Sequence, residues 1–199
     1  GMKMRLLGIK QRMEGRDALV VMSYAGAADS IVWRMTPDGM IGMDAVLLNS
    51  RDGKRFGEAF FDGDVRNLGF SFSYPEDICA GMEWLGRGPY RVWRNRQRGH
   101  NVDLWQKDYN NPITGQSDGR LVYPEFKGYH ANLYWARMQS ATAPLTVYSE
   151  TDGLYFRVFT PEEPTDSEGK RVHTMERFPA GDLSFPVSYT HLTLPTIRL

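Results

Sequence analysis

The chain has 199 residues, enough for one domain with a substantial core, and its aromatic share of 13% favours pleated sheets. Because its 24 basic and 24 acidic side chains cancel, no broad positive field attracts a polyanion, which argues against nucleic acid as a partner. The single cysteine, Cys79, excludes an intrachain disulfide, and no apolar run approaches the roughly 18 residues of a membrane span, so no membrane partner is expected.

Short apolar runs separated by turn residues fill the first part of the chain. Residues 18–24 are apolar and rich in valine, which predicts a buried strand. Residues 29–36 alternate, with the larger apolar side chains on one face, which predicts a strand with that face on a core. Pro37-Asp38-Gly39 is a turn signal and residues 41–48 return, so we predict a hairpin here.

The middle of the chain continues this pattern and then becomes polar. Residues 65–74 predict a strand that ends at Pro75-Glu76-Asp77. Residues 82–85 begin another alternating strand. Gly86-Arg87-Gly88-Pro89 then predicts a turn, because glycine supplies positive φ and proline fixes its own φ. Residues 101–117 are polar and predict a long loop, which in a compact domain is usually functional or disordered.

The later segments alternate again. Residues 129–139 predict a strand, and residues 144–150 and 154–159 predict a second hairpin around Thr151-Asp152-Gly153. The acidic residues 161–170 contain two prolines and predict a loop. Repeated short strands joined by Asp-Gly turns argue for an all-β sandwich rather than for βαβ units.

The last residues depart from the pattern. Residues 187–199 resemble the translation of a sequencing adapter, so we expect a non-native tail after a β-sandwich domain of residues 1–186. A natural terminal strand is the alternative. The non-native interpretation predicts little contact with the sandwich, and a buried strand over residues 188–194 would count against it.

One motif resembles a known family. Trp84-Leu85-Gly86-Arg87-Gly88-Pro89 is similar to a signature in the C-terminal β-sandwich of glycoside hydrolase family 2, the β-galactosidase small-chain type. That family continues as Gly-Pro-x-Glu-x-Tyr-x-Asp-Arg, and the corresponding residues here are Arg91, Trp93, Asn95 and Arg96. The two acidic positions are therefore changed. A second family turn, Pro-x-Glu-Asn-Gly, corresponds to residues 124–128 and keeps only Pro124 and Gly128.

The resemblance covers roughly residues 18–185 and carries expectations for fold and function. It implies the galactose-mutarotase-like supersandwich, a large antiparallel β-sandwich, here truncated at its C-terminus. In that family a TIM barrel upstream supplies the catalytic carboxylates, so the resemblance implies a barrel partner and no catalytic residue in this chain. The implied parent reaction is hydrolysis of terminal β-galactosides or related β-glycosides, with no cofactor. A chain that starts at Gly1 is then expected to be a piece of a longer enzyme, and its compartment stays open.

Carbohydrate is the expected ligand. Sugars present apolar C–H faces and a rim of hydroxyls, which aromatic and hydrogen-bonding side chains recognise together. Such side chains cluster in one short stretch, and the candidate binding residues are Trp93, Arg96, His100, Asp103 and Trp105. Further candidates to flank them are His130, Asn132 and Trp135. The competing interpretation is that the tryptophans, including Trp84, only fill the core.

Two alternative functions belong to different classes. A free-standing carbohydrate-binding or interaction module would need no catalytic partner and would use the same aromatic residues. A mutarotase-like enzyme would need paired histidines with a carboxylate, and the four histidines of this chain show no such pairing in sequence. Asp62-Gly63-Asp64 and Glu162-Glu163 lack the alternating oxygen ligands of a calcium loop, so we expect turns there and no metal.

Overall fold

The computed structural model describes residues 4–26, 28–47, 68–92, 98–111, 125–162, 167–170, 178–188 and 197–198. In these ranges the regular structure is β-strand apart from one turn of 3-10 helix, Glu76–Ile78, and no helix there is long and apolar enough to cross a membrane. The strands, in chain order, are β1 Met4–Glu14, β2 Asp17–Gly26, β3 Ala28–Met35, β4 Ile41–Leu47, β5 Leu68–Phe72, β6 Gly81–Val92, β7 Asn101–Asp108, β8 Gly128–Gln139, β9 Leu145–Tyr148, β10 Phe156–Val158, β11 Leu183–Ser188 and β12 Ile197–Arg198. All the pairings between them are antiparallel, so the predicted all-β antiparallel class is confirmed.

The chain divides into two compact units, and the first comprises residues 1–66 with 190–199. Its sheet has the strand order β1-β2-β3-β4-β12. The predicted hairpin is confirmed, because β3 and β4 pair as far as Met35 opposite Ile41. The turn is closed by Gly39, whose φ is +90° and whose N–H donates to the carbonyl of Thr36 at 3.0 Å.

Burial in the first unit is less complete than the sequence predicts. Strand β2 forms where predicted, but only Leu19 in it is buried and its other side chains are half-buried. Its neighbour β1 is exposed along its whole length, so the apolar side chains of β2 lie close to the exposed edge of the sheet. On β3, Ile31 is buried as expected whereas Met35 is exposed.

The second unit comprises residues 67–189 and contains a sheet with the order β5-β11-β10-β8-β6-β7. The predicted hairpin between residues 144–150 and 154–159 is wrong. Strands β9 and β10 both pair with β8, β9 beside Trp135–Met138 and β10 beside Gly128–His130. Thr151-Asp152-Gly153 therefore lies in a short connection between β9 and β10, which pair with the same edge of β8. Turn residues identify a change of direction but not the strand that is met afterwards.

The predicted turn at Gly86-Arg87-Gly88-Pro89 is also wrong, because β6 continues through these residues. Neither glycine has a φ in the left-handed range. They are needed for clearance instead. A Cβ on Gly86 would lie 2.9 Å from the carbonyl oxygen of Asn132, and a Cβ on Gly88 would lie 2.6 Å from Cδ1 of Trp105. Glycine here allows neighbouring strands to approach the β6 backbone.

The expected loop over residues 101–117 is corrected in its first half, which forms β7. This strand pairs with β6 from Asn101 opposite Gly88 to Asp108 opposite Gly81. Its polar composition misled the prediction, since β7 lies at the end of the sheet path and most of its side chains are exposed. Residues 112–117 lie outside the described residues.

The core of the second unit is rich in aromatic side chains. Trp84 is 1% exposed, so it fills the core as the competing interpretation predicts. The rings of Phe156 and Phe185 stack with centroids 5.2 Å apart. Arg157, the next residue along β10, is also fully buried, and its Nε and Nη2 donate to Oγ of Ser184 at 3.0 and 2.8 Å. Its Nη2 also donates to the carbonyl of Gly181 at 2.6 Å, so this cation links β10 to the start of β11.

The C-terminal residues are only partly described. Strand β11 extends to Ser188, two residues into the segment expected to be non-native. Ile197 and Arg198 pair with Ala45 and Asp44 of β4. Residues 189–196, which include most of the segment that would decide between the two interpretations, lie outside the described residues. The assignment of domain and tail therefore stays a prediction.

Gly88→Ala is expected to lower the free energy of unfolding by about 1–3 kcal/mol, because the added methyl group overlaps the indole of Trp105. Urea denaturation followed by tryptophan fluorescence measures this. The matched control is Gly8→Ala, where an added Cβ meets nothing within 4 Å. Equal midpoints for both variants would show that Gly88 is not required for strand packing.

Candidate functional site

The predicted carbohydrate-binding residues lie around the connection from β6 to β7. Trp93 and Arg96 lie outside the described residues, whereas His100 immediately precedes β7. The half-buried ring of His100 has Nε2 3.3 Å from the carbonyl oxygen of Arg91 and meets Tyr90 edge-on, with centroids 6.2 Å apart. Because β6 and β7 are paired, His100 lies close to the C-terminal end of β6.

Asp103 and Trp105 share one face of β7, two residues apart, because side chains alternate along a strand. Asp103 is exposed, and its Oδ1 accepts the N–H of Leu104 at 2.8 Å. Trp105 is half-buried against Gly88, and its Nε1 donates to the carbonyl of Gly86 at 3.1 Å. The tryptophan is thus fixed in place, while Asp103 has carboxylate capacity left for a ligand.

The expected flanking residues are separated by the sheet. His130 is fully buried, so its ring does not reach the surface. Trp135 is half-buried and pairs with Leu85, which places it on the face opposite to Trp84 and Trp105. Asn132 has a φ of +49°, and it lies where the register of β8 against β6 shifts.

A buried group of charges that includes Lys107, on the same face of β7 as Asp103 and Trp105, was not predicted from the sequence. Nη2 of Arg91 donates to Oε1 of Glu125 at 2.9 Å, and Nε of Arg91 forms an ion pair with Oε2. Lys107 of β7 donates to the backbone carbonyl of Glu125. All three side chains are at most 8% exposed. The partners come from distant parts of the chain, which leaves no local spacing that could have identified them.

Burial controls the ionisation of this group. It lowers the pKa of Lys107 to about 7, since the nearby Glu125 carboxylate offsets only part of the cost of desolvating the ammonium. It also raises the pKa of Glu125, although Arg91 and Lys107 both act in the opposite direction. Desolvation therefore outweighs attraction at both groups, as expected of ion pairs enclosed in a protein.

A second ion pair, which is buried only on its lysine side, holds the same segment from the other side. Lys127 pairs with Glu76 at 2.5 Å, and the Tyr109 hydroxyl donates to the same carboxylate oxygen at 2.6 Å. Burial, followed by the bond to Glu76, raises the pKa of Tyr109. Between the two charged contacts, Phe126 is fully buried against Tyr109, with ring centroids 5.2 Å apart. Residues 125–127 are thus fixed by β6, β7 and the 3-10 turn.

His130 adjoins these charges but is uncharged. Its ring lies 4.7 Å from Trp84 and 6.4 Å from Phe156, between centroids. Neither ring nitrogen makes a well-formed hydrogen bond with the described residues. Burial lowers the pKa of His130 to about 3, with the positive charge of Lys107 acting in the same direction, and the backbone of Phe126 opposes this shift without cancelling it.

These contacts indicate a structural role for the buried charges and leave a binding role to residues nearer the surface. The buried charges neutralise one another and fix residues 125–127, so they are not free to act on a ligand. The described residues contain no group of three or more metal-ligating side chains. Asp103, His100 and Trp105 lie nearer the surface and offer a carboxylate, an imidazole and an indole, which together suit hydrogen bonding and stacking with a small polar molecule.

Comparison with known proteins identifies the family. No curated protein matches the chain. The sequence profile of one family, described as beta galactosidase small chain, matches residues 5–191. The match covers both compact units and includes the Trp84–Pro89 motif. On this evidence, the chain belongs to the beta galactosidase small chain family.

Proposed function

We propose that this chain is an accessory β-sandwich domain of a family 2 glycoside hydrolase, and that it shapes a sugar site whose catalytic carboxylates lie on a TIM barrel. The parent reaction would be hydrolysis of terminal β-galactosides or related β-glycosides. The family match over residues 5–191 carries this proposal, because a small-chain domain of β-galactosidase implies a larger multidomain enzyme.

The surface of β7 supports a contact with sugar. Asp103 is exposed and adjoins an indole fixed by its bond to Gly86. A rigid aromatic ring beside a carboxylate matches the apolar face and the hydroxyl rim of a pyranose. Since Asp103 accepts the N–H of its neighbour Leu104, which is a local contact, a ligand hydroxyl can bind the carboxylate without breaking tertiary structure.

The paired carboxylates of Glu125 and Glu76 support a non-catalytic role. A retaining glycosidase needs two carboxyl groups about 5–5.5 Å apart that both face the substrate. Glu125 is enclosed by Arg91 and Lys107, and Glu76 is bound by Lys127 and Tyr109. Neither carboxylate is free to act as an acid or a nucleophile.

Asp103→Ala in the enzyme encoded by the complete reading frame is expected to raise KM for nitrophenyl β-galactoside roughly fivefold, the loss of about one hydrogen bond. The effect on kcat should be smaller, because Asp103 would bind substrate rather than react. Steady-state kinetics measures both constants. The matched control is Asp108→Ala, an exposed carboxylate at the other end of β7.

The same assay on the isolated 199-residue chain should show no turnover. Turnover that is lost on replacing Glu83 or Asp103 would contradict the non-catalytic proposal. A complete reading frame without a barrel would instead favour the free-standing carbohydrate-binding module. An unchanged KM in Asp103→Ala would remove this residue from the proposed site.

A further inference from the structure

Two Asp-Gly pairs lie in turns that the structure describes, and the two turns hold them differently. Asp38-Gly39 lies between β3 and β4, and Asp152-Gly153 lies between β9 and β10. An aspartate followed by glycine can cyclise, because glycine has no side chain to keep its backbone nitrogen away from the neighbouring carboxyl group. The reaction then depends on whether the carboxyl group and the glycine nitrogen are free to meet.

Both reacting groups of Asp38-Gly39 are engaged in the turn. The Thr36 hydroxyl donates to Oδ1 of Asp38, and this bond lowers the pKa of the carboxyl group, which therefore gives up its proton more readily. The Gly39 N–H donates to the carbonyl of Thr36 at 3.0 Å. The Thr36 hydroxyl also accepts the N–H of Met40 at 3.1 Å. Cyclisation of Asp38 therefore requires that the turn first opens.

The corresponding groups of Asp152-Gly153 are free. Asp152 is exposed, and its carboxylate makes no hydrogen bond or ion pair with any residue that the structure describes. Within the same part of the chain, the Gly153 N–H has no acceptor. A Cβ added to Gly153 would meet nothing within 4 Å, so the space around this peptide is open. The carboxyl group and the nitrogen can approach each other without breaking a contact.

The backbone on either side of this pair is fixed. The Ser149 hydroxyl donates to the carbonyl of Thr151 at 2.9 Å and accepts the Thr151 N–H at 3.1 Å. On the other side, Leu154 is fully buried, and its carbonyl accepts the N–H of Leu133 at 2.9 Å. Asp152 and Gly153 are thus a free dipeptide between two anchored residues.

We propose that Asp152 is a site of spontaneous isoaspartate formation, and that its turn protects Asp38 from the same reaction. The Gly153 nitrogen attacks Cγ of the protonated Asp152 carboxyl group. An N–Cγ bond forms, the Cγ–OH bond breaks, and the hydroxyl leaves as water with the proton of the nitrogen. Water then adds to the main-chain carbonyl of the cyclic imide, the bond from that carbon to nitrogen breaks, and the nitrogen regains a proton. One water leaves and one enters, so the product has the mass of the original chain.

The product has a longer main chain, because Cβ and Cγ of Asp152 now connect it to Gly153. A free carboxylate remains on Cα. Since the neighbouring residues are anchored, the extra atom must be accommodated in the connection between β9 and β10. Both strands pair with β8, so the modification acts on those pairings.

Ageing of the 199-residue chain in mildly acidic buffer, followed by peptide mapping, tests the proposal. An endoprotease specific for aspartate does not cleave before isoaspartate, and mass spectrometry assigns each uncleaved site. We expect isoaspartate to accumulate at Asp152 about tenfold faster than at Asp38, the factor expected when a turn held by a few hydrogen bonds must open. In guanidinium chloride the two sites should react at similar rates, because glycine follows both aspartates and the turns are absent.

Two variants test the cause of the difference. Asp152→Glu keeps the charge but requires a larger ring, so isomerisation at this position should stop. Thr36→Val removes the hydroxyl that holds Asp38 and should raise the rate at Asp38 without changing the rate at Asp152. Circular dichroism establishes that both variants are folded.

Equal rates at the two sites of the folded chain would overturn the proposal, as would an unmodified Asp152. A difference that persists in guanidinium chloride would also overturn it, because the cause would then lie in the local sequence and not in the turns. None of these results depends on sugar binding, so they leave the proposed function to its own kinetic test.

Discussion

Glu125→Gln is expected to lower the free energy of unfolding by about 3–5 kcal/mol, because the change leaves the enclosed Arg91 guanidinium without its counter-ion. Glutamine keeps the size of the side chain and one acceptor for Arg91. It removes the negative charge that faces Arg91 and Lys107, whose side chains are 8% and 7% exposed. The cost would come from leaving an enclosed charge with neither a counter-ion nor water around it, rather than from the strength of the native pair.

Urea denaturation at pH 7 measures this cost. The double variant Glu125→Gln/Lys107→Met should regain part of the loss, since it removes the buried amine whose charged form Glu125 no longer stabilises. As a matched control, Glu14→Gln breaks an exposed pair with Arg34 and should cost much less than the change at Glu125. A loss at Glu125 as small as the loss at Glu14 would show that solvent reaches the buried group.

His130→Phe is expected to make the fold less sensitive to acid. The pKa of His130 is about 3 in the folded chain, against an ordinary value of 6.5. Above pH 6.5 the imidazole is neutral in both states and contributes no pH dependence. As pH falls from 6.5 towards 3, the unfolded chain binds the proton first, so the folded state loses on the order of 1.4 kcal/mol for each pH unit. Phenylalanine has no such proton and fits among Trp84 and Phe156.

Urea denaturation from pH 7 to pH 4 measures the difference in stability between the variant and the original chain. That difference should shift in favour of His130→Phe by roughly 3 kcal/mol across this range, while contributions of other groups cancel. Proton NMR of the original chain should show that the imidazole of His130 stays neutral at pH 5. A difference in stability that is constant with pH would mean that His130 gains its proton in the folded chain.

Candidate site residues could be proposed from the sequence only where suitable side chains lie close together along the chain. Residue type alone proposes Asp103, Trp105 and His100 as site residues, and β7 places the first two on one face. The spacing of residues along the chain does not predict the contacts of Glu125 with Arg91 and Lys107, because each partner comes from a different strand or loop. Their ionisation was equally hidden, since it depends on burial.

Alternation of side chains by itself determined the all-β class and most strands, because a period of two matches the pleat whatever surrounds the strand. The β3–β4 hairpin was also determined locally, by Pro37-Asp38-Gly39. Pairing beyond nearest neighbours was decided only by tertiary structure. Gly86 and Gly88 have the composition of a turn, yet they form a strand interior because Asn132 and Trp105 need the space that a side chain would occupy. Clearance of that kind depends on which strands become neighbours, and a linear sequence does not specify that contact locally.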